Sequence, residues 1–496
     1  MAFKPNKYQQ AIYDFISDGE GNAVINAVAG SGKTTTIINA LDIISPDKSV
    51  LFLAFNKSIV EELKKKIGEK ENVDIKTFHS LGATMCYNTF HSTINADKYT
   101  KHINQYIKEG KYAPESKLDG EEKNFWKRNI RDLCNLARIE LVKNEGDLIK
   151  SARKHGFILE DNEIEIAMKV VEWGKMNVAE IDFTDMIYFP NVKKMEIPLY
   201  DFVFIDECQD LNTAQRELFL KCVDPDEGRF VGVGDRNQSI YFFSGADAES
   251  FDKLVKIPNT RLLPLSVCYR CDKTIVESAK KLVPQIEYRE GAEDGVIDKN
   301  ATIDDVKDGD MVICRTSAPL VKLCMLFLKK GVKAYIKGRD IGTSLIGLIR
   351  NTHKDTVKDV IDSLKKDGKK MVKKLCKLYD YSESDAENTS EYQNYIDKVN
   401  TIVELGSEIK SSESLIDKIS ELFSENNGEG ICLSTVHKSK GLENERVFIL
   451  NESAFYPKWA MNNKIQAEQE KNLEYVAITR SKKYLGYISN VEKNEK

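Results

Sequence analysis

The feature that most constrains this chain is a short apolar run, Ala23-Val24-Ile25-Asn26, followed at once by Ala27-Val28-Ala29-Gly30-Ser31-Gly32-Lys33-Thr34-Thr35. A buried strand that turns through glycines into a helix lets backbone N–H groups wrap an anion. The helix that follows aims its positive dipole end at the same point. Ala29, Gly30, Ser31, Gly32, Lys33, Thr34 and Thr35 therefore form a candidate phosphate cradle. Lys33 is placed for β- and γ-phosphates and Thr34 for Mg2+. Ala27 stands where the general pattern begins with glycine, so the strand–loop–helix context carries the assignment.

Such a cradle needs an acidic partner at the end of a neighbouring strand. Asp206-Glu207 follows the apolar run Phe202-Val203-Phe204-Ile205 directly. Asp206 suits Mg2+ coordination, and Glu207 is placed to polarise an attacking water as general base.

Short apolar runs alternate with helical patterns near both ends of the chain, the mark of parallel sheets with crossover helices. Val50–Ala54 and Phe230–Val233 read as further strands of a first lobe, with helices over Lys33–Ile44 and through Glu61 to Lys65. Residues 84–180 carry helical periodicity in Trp126–Leu141 and Ile164–Trp173, and read as an insertion into that lobe. A second α/β lobe starts near 266, with strands at Met311–Cys314, Lys333–Ile336, Ile431–Leu433, Val447–Leu450 and Tyr484–Ile488. A charged helical insertion occupies 346–425. The expected organisation is thus 1–83 with 181–265, and 266–345 with 426–496, each pair interrupted by one insertion.

At 496 residues and 41% apolar, the chain has material for several cores. Its net charge of −5 is not that of a uniformly basic nucleic-acid binder, but a cleft needs only local positive charge. Ten scattered cysteines fit a reducing compartment, and the lone Cys268/Cys271 pair has no second ligand pair at zinc spacing. No run approaches a membrane span, and Met1-Ala2-Phe3-Lys4-Pro5 opens no signal peptide. A soluble protein, cytoplasmic or nucleoid-associated, with no membrane contact is expected.

In the order of their motifs, residues 5–488 resemble the UvrD/Rep/PcrA branch of superfamily 1 helicases. The resemblance implies two RecA-like motor domains, ATP and Mg2+, and movement on single-stranded DNA in the 3′ to 5′ direction. Asn6-Lys7-Tyr8-Gln9-Gln10 resembles the adenine-reading segment, with Gln9 chosen over Gln10. Asp206-Glu207-Cys208-Gln209-Asp210 resembles the acidic motif, and Gly234 to Tyr241 the segment that senses the γ-phosphate through Gln238. Cys268-Tyr269-Arg270-Cys271 resembles Asn-Tyr-Arg-Ser, which implies Tyr269 on the adenine and Arg270 on the γ-phosphate. Ala477-Ile478-Thr479-Arg480-Ser481 resembles the last motif and makes Arg480 a second arginine finger. Thr435 to Glu443 resembles the motif that joins ATP to DNA, so Glu443 would hold the ribose while Thr435 and His437 face the strand.

For the track, Phe55-Asn56-Lys57 and Thr77-Phe78-His79-Ser80 lie where the family's first-lobe DNA contacts lie. Phe78 itself reads as core, while Thr77 and His79 are the contacts. Tyr241 and Phe243 occupy stacking positions, since aromatics hold bases without sequence readout. The wording of these segments resembles the F-box helicase branch, which points toward anti-recombinase or repair work among the family's roles in repair, recombination and replication. Ser244 replaces the usual Arg, Phe243 a Trp, and Thr35 an Arg that covers the adenine. The resemblance ends near 488, so no C-terminal nuclease of the RecB or AddA kind is expected.

A lysine run from Lys365 to Lys377 is either a solvated helix face or a grip on duplex DNA. The expected partners are single-stranded DNA, junctions of single and double strands, and repair or recombination proteins, with the chain acting as a monomer. Two other readings stay open: a nucleotide-gated module with little processive movement, and an RNA motor.

Overall fold

Strand β1 (Asn22–Ala27) shows how the first sheet is built. Its alternate residues enter different cores: Ala23, Ile25 and Ala27 on one face, Val24 on the other. The same alternation divides β2 (Val50–Ala54), where Val50, Phe52 and Ala54 oppose Leu51 and Leu53, and β4 (Phe202–Ile205), where Phe202 and Phe204 oppose Val203 and Ile205. A strand apolar on both faces must be covered on both, as parallel strands joined by crossover helices are.

A computed structural model describes residues 4–68, 70–109, 120–155, 157, 159, 162–240, 247, 249–379, 381–423, 429–461 and 464–489. The chain divides into two compact units, Met1–Ser266 and Val267–Lys496. With β3 (Val73–Thr77), β5 (Arg229–Gly234) and β6 (Thr260–Leu265), the first sheet runs β3-β2-β4-β5-β1-β6, every pairing parallel. All carboxyl ends consequently lie along one edge, where open α/β sheets bind ligands. Helices Lys7–Asp18, Lys33–Ile43 and Lys57–Ile67 supply core residues to one face. Helices Phe78–Phe90, Phe183–Val192 and Thr213–Lys221 supply them to the other.

Between β3 and β4, helices Lys98–Lys108, Gly120–Ile139, Glu145–Lys154 and Glu163–Met176 form their own core around Trp126, Leu133 and Val170. At its centre is a buried charge cluster. Arg138 donates to Asp182 at 2.7 and 2.9 Å and to Asp185 at 2.8 Å. Lys98 donates to Asp185 at 2.7 Å, and Tyr99 donates to the same carboxylate at 2.7 Å. Two cations thus balance two carboxylates. Asp182 also caps the helix Phe183–Val192, so the cluster fixes where that helix begins.

The second unit holds β7 (Val296–Asp298), β8 (Met311–Cys314), β9 (Ala334–Lys337), β10 (Ile431–Thr435), β11 (Asn444–Leu450) and β12 (Ser481–Ile488). Its order is β7-β12-β11-β8-β10-β9, again wholly parallel. The fold is therefore mixed α/β with two parallel sheets of the RecA-like kind. Helices Val357–Tyr379, Ser390–Gly406 and Ser412–Leu422 pack into the core that also covers Val312 and Leu433 of this sheet. Lys365, Lys366, Lys369, Lys370, Lys373 and Lys377 are exposed on the first of these helices, opposite buried Leu364, Val372 and Leu375. No helix among the described residues is long and apolar enough to cross a membrane.

Removing Arg138 would leave Asp182 without its cation and Asp185 with Lys98 and Tyr99 alone, which costs about 3–5 kcal/mol. Arg138→Met should shift urea unfolding to lower denaturant, read by the fluorescence of Trp126 and Trp173 in this helical region. An unmoved midpoint would show that the cluster contributes little.

Candidate nucleotide and nucleic-acid site

β1 ends in the phosphate-cradle sequence. Gly30 and Gly32 take φ of +67° and +77°, in the left-handed region that disfavours side chains. Gly32 then caps the helix Lys33–Ile43. Ser31 is buried, and its hydroxyl meets no hydrogen-bond partner among the described residues.

The Lys33 Nζ lies 2.8 Å from Glu207 Oε1. Burial works against the Lys33 ammonium, but Glu207, Asp206 and Asp235 outweigh it and hold its pKa above the ordinary lysine value. Asp206 accepts from the Glu207 N–H at 2.9 Å. Glu207 is itself left-handed, at φ +52°, a conformation that costs a non-glycine residue about 1–3 kcal/mol. Lys33 grips one of its oxygens and Gln209 Nε2 the other, at 2.5 Å.

The chain of contacts continues through Gln209. Its Oε1 accepts from the Asp235 N–H at 3.1 Å, and Gln238 Nε2 donates to Asp235 at 2.7 Å. Burial raises the Asp235 pKa, against the opposing pull of Lys33 and Gln238. Gly234 is required here, because a Cβ would lie 2.2 Å from Gln209 Oε1. Lys33, Asp206, Glu207 and Gln238 are thus brought together, with Thr34 one residue along the helix.

Gln9 is buried. Its Oε1 accepts from the Asn6 N–H at 3.0 Å and its Nε2 donates to Thr36 at 3.1 Å, behind the cradle. The amide retains a second hydrogen and a second lone pair. Gln10 is exposed and bonds Asp14 instead.

In the second unit, Arg270 Nε stands 2.5 Å from Glu443 Oε2, and its Nη1 donates to the Thr479 carbonyl at 3.2 Å. Burial would raise the Glu443 pKa, yet Arg270 and Lys482 together hold it below the ordinary glutamate value. Tyr269 beside them is 43% exposed. Arg480 is buried and donates to the carbonyls of Val476 and Leu442, each at 3.0 Å. Arg289 pins the Tyr269–Asp272 turn through the carbonyls of Tyr269 and Cys271 and the Asp272 carboxylate. No sequence motif marks Arg289 or Lys482, because both act by position in the folded unit.

Asn56 and Thr77 cap the helices that follow β2 and β3, accepting from Ile59 N at 2.9 Å and Ser80 N at 3.1 Å. The caps leave Phe55, Lys57 and His79 exposed on the sheet's carboxyl edge, while Phe78 is core. Phe183, exposed, meets His79 edge to face at 6.2 Å. That aromatic was not singled out from sequence, since only folding brings it to His79. Thr435 caps the short helix Val436–Ser439, which carries His437. Tyr241, Phe243 and Ser244 lie outside the described residues.

A strand–cradle–helix at the carboxyl edge of a parallel sheet, closed by an acid pair two strands away, defines a P-loop nucleotide-binding fold of the RecA-like class. The UvrD/REP helicase N-terminal domain model matches residues 6–258, and the chain belongs to that family. It is similar to an F-box DNA helicase 1 from Gallus gallus, with 24% identity covering 94% of this chain and 47% of that protein. It is also similar to an ATP-dependent DNA helicase Rep from Buchnera aphidicola subsp. Acyrthosiphon pisum, with 29% identity over 54% of this chain and 44% of the relative. A probable DNA helicase II homolog of Mycoplasma genitalium is 27% identical over 55% of this chain and 42% of its own length. The chain spans less than half the length of each of these relatives.

Burial, helped by Arg315, Lys438 and Lys440, lowers the His437 pKa to about 3. The folded ring should then stay neutral across pH 5 to 8, as NMR of the labelled imidazole would show. Unfolded chains take up this proton near pH 6.5, so the His437 contribution to stability should fade as pH falls below that value. An imidazolium signal near pH 6 would contradict this environment.

Proposed function

We propose that this chain is an ATP-dependent DNA helicase that moves along single-stranded DNA from 3′ to 5′ and separates strands or displaces bound protein at junctions. The observation that carries the reading is the 2.8 Å Lys33–Glu207 pair, continued through Gln209 and Asp235 to Gln238. Membership of the UvrD/REP family supports it.

In this reading Lys33 exchanges Glu207 for the β- and γ-phosphates, whose charge is the stronger attraction. Glu207 is then free to accept the proton of the attacking water. Gln238 reports the γ-phosphate, and Gln209 and Asp235 link that report to Glu207. Thr34 and Asp206 are a hydroxyl and a carboxylate, the hard oxygen donors that Mg2+ takes beside phosphate oxygens, where the bound ion would neutralise charge. The backbone from Ala29 to Thr35 cradles the phosphates, Gln9 and Tyr269 hold the base, and Glu443 the ribose.

Arg270 and Arg480 stabilise the charge of phosphoryl transfer. Arg270 gives up Glu443 to do so, which ties phosphate contact to ribose contact in one exchange. Residues 1–83 with 181–265 act as one motor domain and 266–345 with 426–496 as the other, interrupted by 84–180 and 346–425. On the DNA side, Phe55, His79, Tyr241 and Phe243 stack bases. Asn56, Lys57, Thr77 and Thr435 meet the backbone, and His437 meets the strand as a neutral ring. Phe183 extends the platform at His79.

Lys33→Ala and Glu207→Gln should each remove at least about 10²-fold of DNA-stimulated ATPase. Strand displacement should require a 3′ tail, and fail with a 5′ tail or blunt ends. Stimulation absent with single-stranded DNA would favour a nucleotide-gated module. Near-normal turnover in either variant would overturn the site assignment.

A further inference from the structure

The Tyr269–Arg270 turn is bracketed by two cysteines, and they differ from the other thiols of the chain. All ten cysteines are free. Burial raises the thiol pKa of Cys86, Cys134, Cys222, Cys314 and Cys324. A buried thiol of that kind is inert.

Cys268 is as buried as those, yet its sulfur is surrounded by donors. The Cys271 N–H points at Cys268 Sγ from 3.5 Å, and the two side chains share a hydrogen bond. The Cys271 thiol, the Cys271 and Arg270 N–H groups and the Arg270 charge hold the Cys268 pKa below the ordinary thiol value against the cost of burial. Cys271 is driven the opposite way and keeps its proton. The pair is therefore one nucleophilic sulfur and one protonated neighbour at two-residue separation, the division of labour that disulfide formation needs.

The second observation concerns what the pair touches. Cys271 Sγ also lies 3.8 Å from the Thr479 carbonyl, and Arg270 Nη1 donates to that same oxygen at 3.2 Å. Thr479 immediately precedes Arg480. One carbonyl thus joins the cysteine pair to the segments carrying both arginines of the proposed reaction.

We propose that Cys268 and Cys271 form a reversible disulfide that switches the nucleotide site off by moving Arg270 and Tyr269. The inference rests on the helicase reading for its consequence, although the bond itself can be detected independently. The oxidant is a hydroperoxide. Cys268 thiolate attacks its terminal oxygen; an S–O bond forms, the O–O bond breaks, and the alkoxide leaves as an alcohol, or as water from hydrogen peroxide. Cys271 then attacks the sulfenic sulfur, the S–S bond forms, and hydroxide departs as water with the thiol proton. Two thiols have lost two electrons to one peroxide. A dithiol reverses the step by exchange.

Closing the bridge has two geometric effects. The Cys271 sulfur loses its hydrogen and is drawn to Cys268 beside the Thr479 carbonyl, and Tyr269 and Arg270 become the two residues inside a small covalent ring. The salt bridge of Arg270 to Glu443 is then held or lost with the ring rather than exchanged freely for phosphate.

The test treats the full chain with hydrogen peroxide and then dithiothreitol, reading DNA-stimulated ATPase and the mass of the peptide containing both cysteines. The expected result is a peptide lighter by two hydrogens with at least about a tenfold fall in turnover, as removal of a charge-stabilising contact gives. Dithiothreitol should reverse both. Cys271→Ser should keep its reduced rate and show no reversible loss. If that variant does not fold, the dithiothreitol reversal in the unmodified chain carries the same information. Both cysteines remaining reduced under peroxide, or a bridge that leaves turnover unchanged, would overturn the switch. Absence of ATPase in the fully reduced protein would sink the helicase reading instead, while the peptide mass would still decide whether the bond forms.

Discussion

Three carboxylates, Asp206, Glu207 and Asp235, converge at the carboxyl edge of the first sheet, and Lys33 is the cation whose charge acts on all three. Like charges this close repel, by about 4 kcal/mol for a pair 4 Å apart near a protein surface. The lysine therefore serves two ends. It makes the acidic cluster tolerable, and it holds one carboxylate oxygen of Glu207, whose left-handed backbone is also fixed through its N–H to Asp206 and its carbonyl to the Asp210 N–H. In the proposed function, phosphates arriving at Lys33 change the charge balance at every carboxylate in the cluster. Glu207 and Gln238 are joined to that change by Gln209 and Asp235, through bonds of 2.5 to 3.1 Å.

The second unit presents a parallel arrangement. Arg270 is paired with Glu443, just as Lys33 is paired with Glu207. In both units a residue assigned to phosphate holds a carboxylate assigned to another part of the same substrate or step. Each pair holds its cation in a partly desolvated position, and in the proposed function each would exchange its carboxylate for nucleotide. Arg480 differs. Its guanidinium donates to the backbone carbonyls of Val476 and Leu442, which anchor it.

Much of this was legible in the sequence. The strands at Val50–Ala54, Phe202–Ile205 and Met311–Cys314 are continuous apolar runs, and a fully buried parallel strand cannot be written any other way. The glycine loop between β1 and its helix was equally clear, because its glycines and lysine are adjacent in the chain. β3 and β6 were missed: Val73–Thr77 mixes charged and apolar residues, and Thr260–Leu265 contains Pro264. The insertion limits placed at 84 and 346 fall inside the continuous helices Phe78–Phe90 and Arg339–Asn351, since a helix can pass from sheet to insertion without a break in periodicity. The buried Arg138–Asp182–Asp185 cluster, the contact of Phe183 with His79 and the clamp by Arg289 were invisible for a single reason. Each joins residues distant in sequence whose types are ordinary on their own.

In the proposed function, nucleotide is bound by the Lys33 cradle but hydrolysed only with charge supplied by Arg270. The direct measurement is a paired one on Arg270→Ala, the affinity for a non-hydrolysable ATP analogue by calorimetry and the turnover of ATP with single-stranded DNA. Affinity should stay within about threefold of the unmodified chain while turnover falls by at least about 10²-fold. Equal loss of affinity and turnover, or turnover left unchanged, would contradict it.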